Sequence, residues 1–173
     1  MLRKLLIVLF ISLPVLATAK PLTLAQVKKQ ESQQVGKIHF SKWFFSIYDA
    51  TLLTQNGTFS WNKPFLLKIH YLRNISGKTI AKHTIQQIYE QHPMDVNDNS
   101  KEYSKVFNNL IPNVKKGANL YGYMDQDGNG YLYSDSGLIG EIPSKKLSKY
   151  FFEIWLSDRS SNITLSKKLR GLL

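Results

Sequence analysis

The stretch Phe65-Leu66-Leu67-Lys68-Ile69-His70-Tyr71-Leu72-Arg73 decides how this chain is read. Phe65, Leu67, Ile69 and Tyr71 alternate with Leu66, Lys68, His70 and Leu72, and neither Gly nor Pro interrupts them. Apolar residues recurring at every second position give a β-strand one buried face. Arg73 falls in register with that face. Its guanidinium either snorkels to water at the strand end or points into a cleft that receives an anionic or carbonyl-bearing group.

Working outward, residues 37–40 and 43–53 are rich in β-branched and aromatic side chains and read as one or two long strands. Ser41-Lys42 between them is expected to hold a bulge or bend. Aromatics on both alternating faces predict a central element covered on each side. Asn56-Gly57 signals a hairpin into Thr58-Phe59-Ser60-Trp61, and Pro64 opens the strand quoted first. Residues 20–34 give a weak signal, an edge strand or a short helix.

Downstream the period changes. Ile80, Ala81, Thr84, Ile85 and Ile88 recur at helical spacing until Pro93. Asn99 with Glu102 resembles a capping box ahead of Tyr103, Val106, Phe107 and Leu110, and Pro112 closes that helix. Strands return at 119–124, 131–134 and 138–142. Leu147, Tyr150, Phe151, Ile154 and Trp155 then form the apolar stripe of a helix, and a polar link leads to a short helix ending near Gly171. Strands, two helices, strands and helices in that order predict an α+β fold with a mainly antiparallel sheet.

Residues 1–19 read as a signal peptide. Arg3 and Lys4 precede an apolar run at 5–16, and Ala17-Thr18-Ala19 supplies the small residues of a cleavage site. That run is 12 residues long, short of the ~20 a spanning helix needs. Residues 20–173 are then a single domain, expected in the periplasm or secreted. Its 154 residues suffice to bury roughly two-thirds of the unfolded surface. With zero cysteines, such an exported domain relies on its core rather than on disulfides.

The net charge is +11, which favours anionic partners such as a lipid surface. The cations come as scattered doublets (Lys28-Lys29, Lys115-Lys116, Lys145-Lys146, Lys167-Lys168) with no nucleic-acid motif, which argues against nucleic-acid binding. Asp125-Gln126-Asp127-Gly128-Asn129-Gly130 matches the opening of an EF-hand loop, but its twelfth position is Ser136 and strands are predicted on both sides. It reads as a hairpin turn. His39, His70, His83 and His92 lack close metal-ligand spacing, and no phosphate-binding, dinucleotide or nucleophile-elbow motif occurs. No cofactor, metal or catalytic residue is assigned from these letters.

Several stretches in order carry a resemblance: Phe45-Ser46-Ile47-Tyr48-Asp49-Ala50-Thr51-Leu52, then Tyr71-x-Arg73-x-Ile75-Ser76-Gly77, Ser136-Gly137-Leu138-Ile139-Gly140, Phe151-Phe152-Glu153-Ile154-Trp155-Leu156-Ser157 and Leu169-Arg170-Gly171-Leu172-Leu173. Over residues 35–173 the chain resembles the bacterial chalcone isomerase-like family of exported proteins. The resemblance implies a large antiparallel sheet with helices packed on one face, an open-faced sandwich with a cleft between its layers. In the plant enzymes that cleft holds a chalcone for intramolecular Michael addition, while non-catalytic members bind fatty acids. The enzymes carry a Tyr shortly after the Gly that enters the helix, whereas this chain reads Gly77-Lys78-Thr79-Ile80-Ala81. The expectation is therefore a non-catalytic binder of a fatty acid or similar hydrophobic small molecule. Phe45, Ile47, Tyr71, Phe151 and Trp155 would line its cleft, with Arg73 or Tyr48 as the polar handle. The alternatives are an envelope interaction protein with a basic docking surface and an intramolecular lyase.

Overall fold

The computed structural model describes residues 20–42 and 44–173, so residues 1–19, where the signal peptide is expected, and Trp43 lie outside the described residues. The chain runs α1 (Leu24–Gln30), β1 (Gln33–Lys42), β2 (Phe45–Thr54), β3 (Phe65–Tyr71), α2 (Gly77–Gln91), α3 (Pro93–Leu110), β4 (Asn119–Met124), β5 (Gly130–Ser134), β6 (Gly137–Ile142), α4 (Lys145–Leu156) and α5 (Ile163–Leu169). The six strands form one sheet in chain order, and every neighbouring pair is antiparallel. The α+β architecture expected from the sequence is present. Among the described residues, no helix is long and apolar enough to cross a membrane.

The alternation at 65–71 explains how the layers stack. Phe65, Leu67 and Ile69 are buried on the face covered by the larger helices, where Phe65 meets Phe152 of α4 edge-on with ring centroids 5.0 Å apart. Leu66 points to the opposite face and joins Tyr121, Tyr123 and Tyr133 with Leu24 and Val27 of α1. The weak signal at 20–34 thus resolves into a short helix that adds a small second cluster behind the sheet. Two phenols fasten it: the Tyr133 hydroxyl donates to the Leu22 carbonyl (2.8 Å), and Lys28 Nζ donates to the Tyr121 hydroxyl (3.0 Å).

Close approach of α4 to the sheet depends on Gly122. A Cβ there would lie 2.6 Å from Cε1 of the fully buried Phe152. Ser144 and Ser76 cap α4 and α2 by accepting from the N–H groups of Leu147 and Thr79, which satisfies donors the helix cannot.

Three local expectations are corrected. Residues 37–53 are two strands, as one reading allowed, but they are not a central element throughout: β2 lies between β1 and β3, whereas β1 is an edge strand, and a turn between Lys42 and Phe45 reverses the chain. Phe44 belongs to that turn, and Phe45, the first residue of β2, is exposed. Residues 58–61 form a loop rather than a strand. Phe59 and Trp61 pack edge-on against each other and against Phe65 at 5.2–5.9 Å, so their alternation reflects an aromatic cluster. Asn99 caps nothing, since α3 already begins at Pro93, whose fixed φ suits a first helical position; Asn99 Nδ2 donates to the Asp95 carbonyl within the helix. The expected break at Pro93 is therefore both the end of α2 and the start of α3.

Candidate functional site

Between the sheet and the helices lies a cavity of about 780 Å³, within the range typical of small-molecule sites. Its floor is the helix-facing side of the strands, with Ile38, Leu67, Ile69, Leu120 and Leu132. Its roof is Ile80 and Thr84 of α2 and Phe151, Ile154 and Trp155 of α4. The apolar stripe of α4 is held from behind, where Phe107 of α3 stacks on Phe151 at 5.6 Å. Leu165 and Ser166 of α5 complete the wall.

The rim is polar and comes from three separate elements. Ser41 and Lys42 end β1; Thr79, His83 and Gln87 repeat every fourth residue along α2; Ser160, Ser161 and Asn162 form the α4–α5 connection. The Ser161 hydroxyl donates to Gln87 Oε1 and ties two of these elements together.

Two phenols stand on the floor beside one another. Tyr48 of β2 and Tyr71 of β3 are cross-strand partners, with ring centroids 6.2 Å apart in an edge-on arrangement. Trp155 Nε1–H donates to the Tyr48 hydroxyl oxygen (3.0 Å), and Phe40 stacks on the Tyr48 ring at 5.0 Å. Tyr71 is 6% exposed, and its hydroxyl makes no hydrogen bond among the described residues. Burial pushes the Tyr48 phenol up to about 12, outweighing the opposing bond from Trp155. Burial, and then proximity to Tyr48, push the Tyr71 phenol up as well. Both hydroxyls therefore remain neutral donors at physiological pH.

Of the residues singled out from the sequence, Ile47, Tyr48, Tyr71, Phe151 and Trp155 line this cavity. Arg73 and Phe45 do not. β3 ends at Tyr71, after which the Leu72 N–H bonds the Ile47 carbonyl and the chain bends away. The alternation that put Arg73 on the apolar face stops two residues short of it. Its guanidinium lies outside the cavity, 4.5 Å from the centroid of the Phe45 ring, which is itself 57% exposed. The expectation of Arg73 as a handle inside the cleft is corrected on that geometry. Sequence reasoning missed the rim: the spacing of Thr79, His83 and Gln87 was a visible signal, but Lys42 and Ser161 converge on it only through the fold.

The remaining singled-out groups have local partners. Asp125 accepts from the N–H groups of Asp127 and Asn129 and from the Asn129 side chain, forming the hairpin turn between β4 and β5. His39 contacts Asp49 (2.7 Å) and Ser46 (2.9 Å) across the β1–β2 hairpin. His70 contacts Asn119 (3.0 Å), and His92 contacts the buried Glu153 (2.6 Å). Among the described residues no three His, Asp or Glu side chains gather as a metal-binding group.

No family model matches the chain, and no curated protein matches it. Among solved structures it is similar to a fatty-acid binding protein of Arabidopsis thaliana, at 5% identity and a TM-score of 0.56, over 80% of this chain and 84% of that one. A likeness at that identity concerns the fold, which is chalcone isomerase-like.

Proposed function

We propose that the cavity carries a fatty acid or a similar long-chain amphiphile without transforming it. The observation that carries this reading is a mainly apolar chamber of about 780 Å³ with two neutral phenol donors on its floor and most of its other polar groups around its rim. An acyl tail would run along Ile69, Leu67, Leu132 and Phe151. Each methylene buried contributes about 0.8 kcal/mol, which strengthens binding roughly fourfold per CH₂ until the chamber is full.

The carboxylate would be received by the Tyr48 and Tyr71 hydroxyls. Accepting from the Trp155 indole leaves the Tyr48 proton free to donate and polarises it further. A neutral donor pair suits this position, because a buried cation would carry a large desolvation cost whenever the ligand is absent. The name of the Arabidopsis protein, a fatty-acid binding protein on a chalcone isomerase-like fold, supports the same ligand class. Export, to the periplasm or beyond, is part of the proposal and rests on the leader-like residues 1–19.

The test is gentle purification from the native host followed by native mass spectrometry and lipid extraction. The expected result is one long-chain acid per protein, displaced by added fatty acid. A protein that yields no bound lipid and takes up none on titration would refute the reading.

A further inference from the structure

The turn joining β1 to β2 carries an exposed aromatic that none of the described residues covers. Phe44 is 98% exposed and Phe45 57%. By contrast Phe65 of the sheet is 0% exposed, and Phe152 and Phe107 on the helices above it match that value. Two adjacent exposed phenylalanines make a contiguous apolar tip, and an apolar feature rimmed by polar residues marks an interaction site. Two cations accompany it. Lys42 is the last residue of β1 and directly opposes Phe45 in the hairpin, while the Arg73 guanidinium lies 4.5 Å from the Phe45 ring centroid.

Aromatic side chains at a tip flanked by Lys and Arg match an anionic lipid bilayer, where rings settle at the headgroup boundary and cations meet phosphates. A second copy of this chain fits less well, because two surfaces of a protein with net charge +11 repel each other. The location adds a further reason. Ser41 and Lys42, two residues of this hairpin end, also line the rim of the cavity.

We infer that the β1–β2 tip docks on the surface of an anionic lipid membrane, inserting Phe44 and Phe45 at the headgroup boundary with Lys42 and Arg73 on the phosphates, and so holds the cavity mouth against the bilayer. The hairpin is braced for this: Phe40 stacks on Tyr48 and His39 bridges Asp49 and Ser46 behind the tip. An amphiphile could then pass between leaflet and cavity without crossing bulk water. That use rests on the fatty-acid reading above; the docking itself does not.

The chain has no cysteine, so a single Phe44→Cys substitution accepts one environment-sensitive fluorophore at the tip. Gln55→Cys, just past the far end of β2, places the same label at the opposite end of the sheet, roughly 30 Å away. The protein, as its host processes it, is mixed with phosphatidylcholine vesicles with or without phosphatidylglycerol, each carrying a quencher in the bilayer. The expected result is quenching at position 44 and none at 55, only with phosphatidylglycerol, and weakening as salt is raised. Replacing both cations (Lys42→Ser with Arg73→Ser) should weaken vesicle partitioning roughly thirtyfold, and Phe44→Ser with Phe45→Ser roughly tenfold or more. Phe44→Ser should leave fatty-acid affinity in lipid-free buffer unchanged, which separates failure of docking from failure of the cavity. Absence of quenching at 44, equal quenching at 55, or equal binding to vesicles without phosphatidylglycerol would overturn the inference. So would dimerisation abolished by Phe44→Ser, which would assign the tip to a second copy.

Discussion

Replacing Tyr48 by Phe removes one oxygen and separates two roles of the same group. In the folded protein that oxygen accepts the Trp155 indole N–H at 3.0 Å. Without it, a part-buried donor loses its partner, at a cost of about 1–3 kcal/mol. For a domain of this size each kcal/mol shifts Tm by roughly 2–4 °C, so Tyr48→Phe should melt about 2–12 °C lower. If the hydroxyl also receives a carboxylate, the variant loses a hydrogen bond to a charged group, worth about 1.5–3 kcal/mol. That is a roughly 10–150-fold loss in fatty-acid affinity.

The assay is a thermal melt paired with calorimetric titration of one fatty acid and its methyl ester. The wild type should prefer the acid, and that preference should shrink in Tyr48→Phe and nearly vanish when Tyr71→Phe is added. Trp155→Phe is the control, since it removes the indole donor but leaves the hydroxyl, so it should lower Tm while largely keeping the acid-over-ester preference. A Tyr48→Phe protein that melts lower but binds the acid as tightly as before would refute the handle and leave Tyr48 a packing residue.

Three further outcomes follow from the same structure. Gly122→Ala forces a Cβ to 2.6 Å from Phe152 and should cost about 1–3 kcal/mol by overpacking, read as a lower midpoint in urea with an unchanged slope. His92 meets the buried Glu153 at 2.6 Å and stacks on Tyr150 at 3.6 Å, whereas the mostly exposed Arg159 stands 3.9 Å from the same carboxylate. His92→Ala should therefore destabilise by about 3 kcal/mol, and Arg159→Ala by less than 1; equal effects in chemical denaturation would contradict that ranking. In alkali, the Tyr48 phenol at about 12 lies above its ordinary value of 10.0. Its contribution to stability is complete below the unfolded value and is lost as pH rises through the folded one. Stability should hold to about pH 10 and then fall toward 12, more shallowly in Tyr48→Phe; identical alkaline limbs in the two proteins would rule this out.

The parts of the fold that were legible in the sequence share one property: a strong period carried by side chains that pack. The alternation at 65–71, the helical spacing at 80–88 and the stripe ending in Trp155 each became the expected element. The β1–β2 turn was legible only as a bulge or bend at Ser41-Lys42, because it lacks the Asn-Gly or Asp-Gly chemistry of a tight hairpin. Aromatics on both sides of Lys42 left one long strand or two equally open. Phe59 and Trp61 misled in a similar way, since an aromatic cluster in a loop can mimic strand alternation.

Tyr48, Tyr71 and Trp155 could be named because they share the apolar face of their elements. Arg73 shared that face too, and only the end of β3 at Tyr71 takes it out of the cavity. Of the rim, only the spacing of Thr79, His83 and Gln87 was visible in the sequence. Lys42, His83 and Ser161 come from a strand, a helix and a loop, and only the tertiary fold brings them together.

The central claim, an apolar chamber built for an acyl chain, is tested most directly by calorimetric titration with saturated fatty acids of increasing length. The account predicts affinity rising roughly fourfold per methylene, a negative heat-capacity change that grows with length, and a plateau once the tail fills about 780 Å³. Affinity that is absent, or that does not change with chain length, would contradict it.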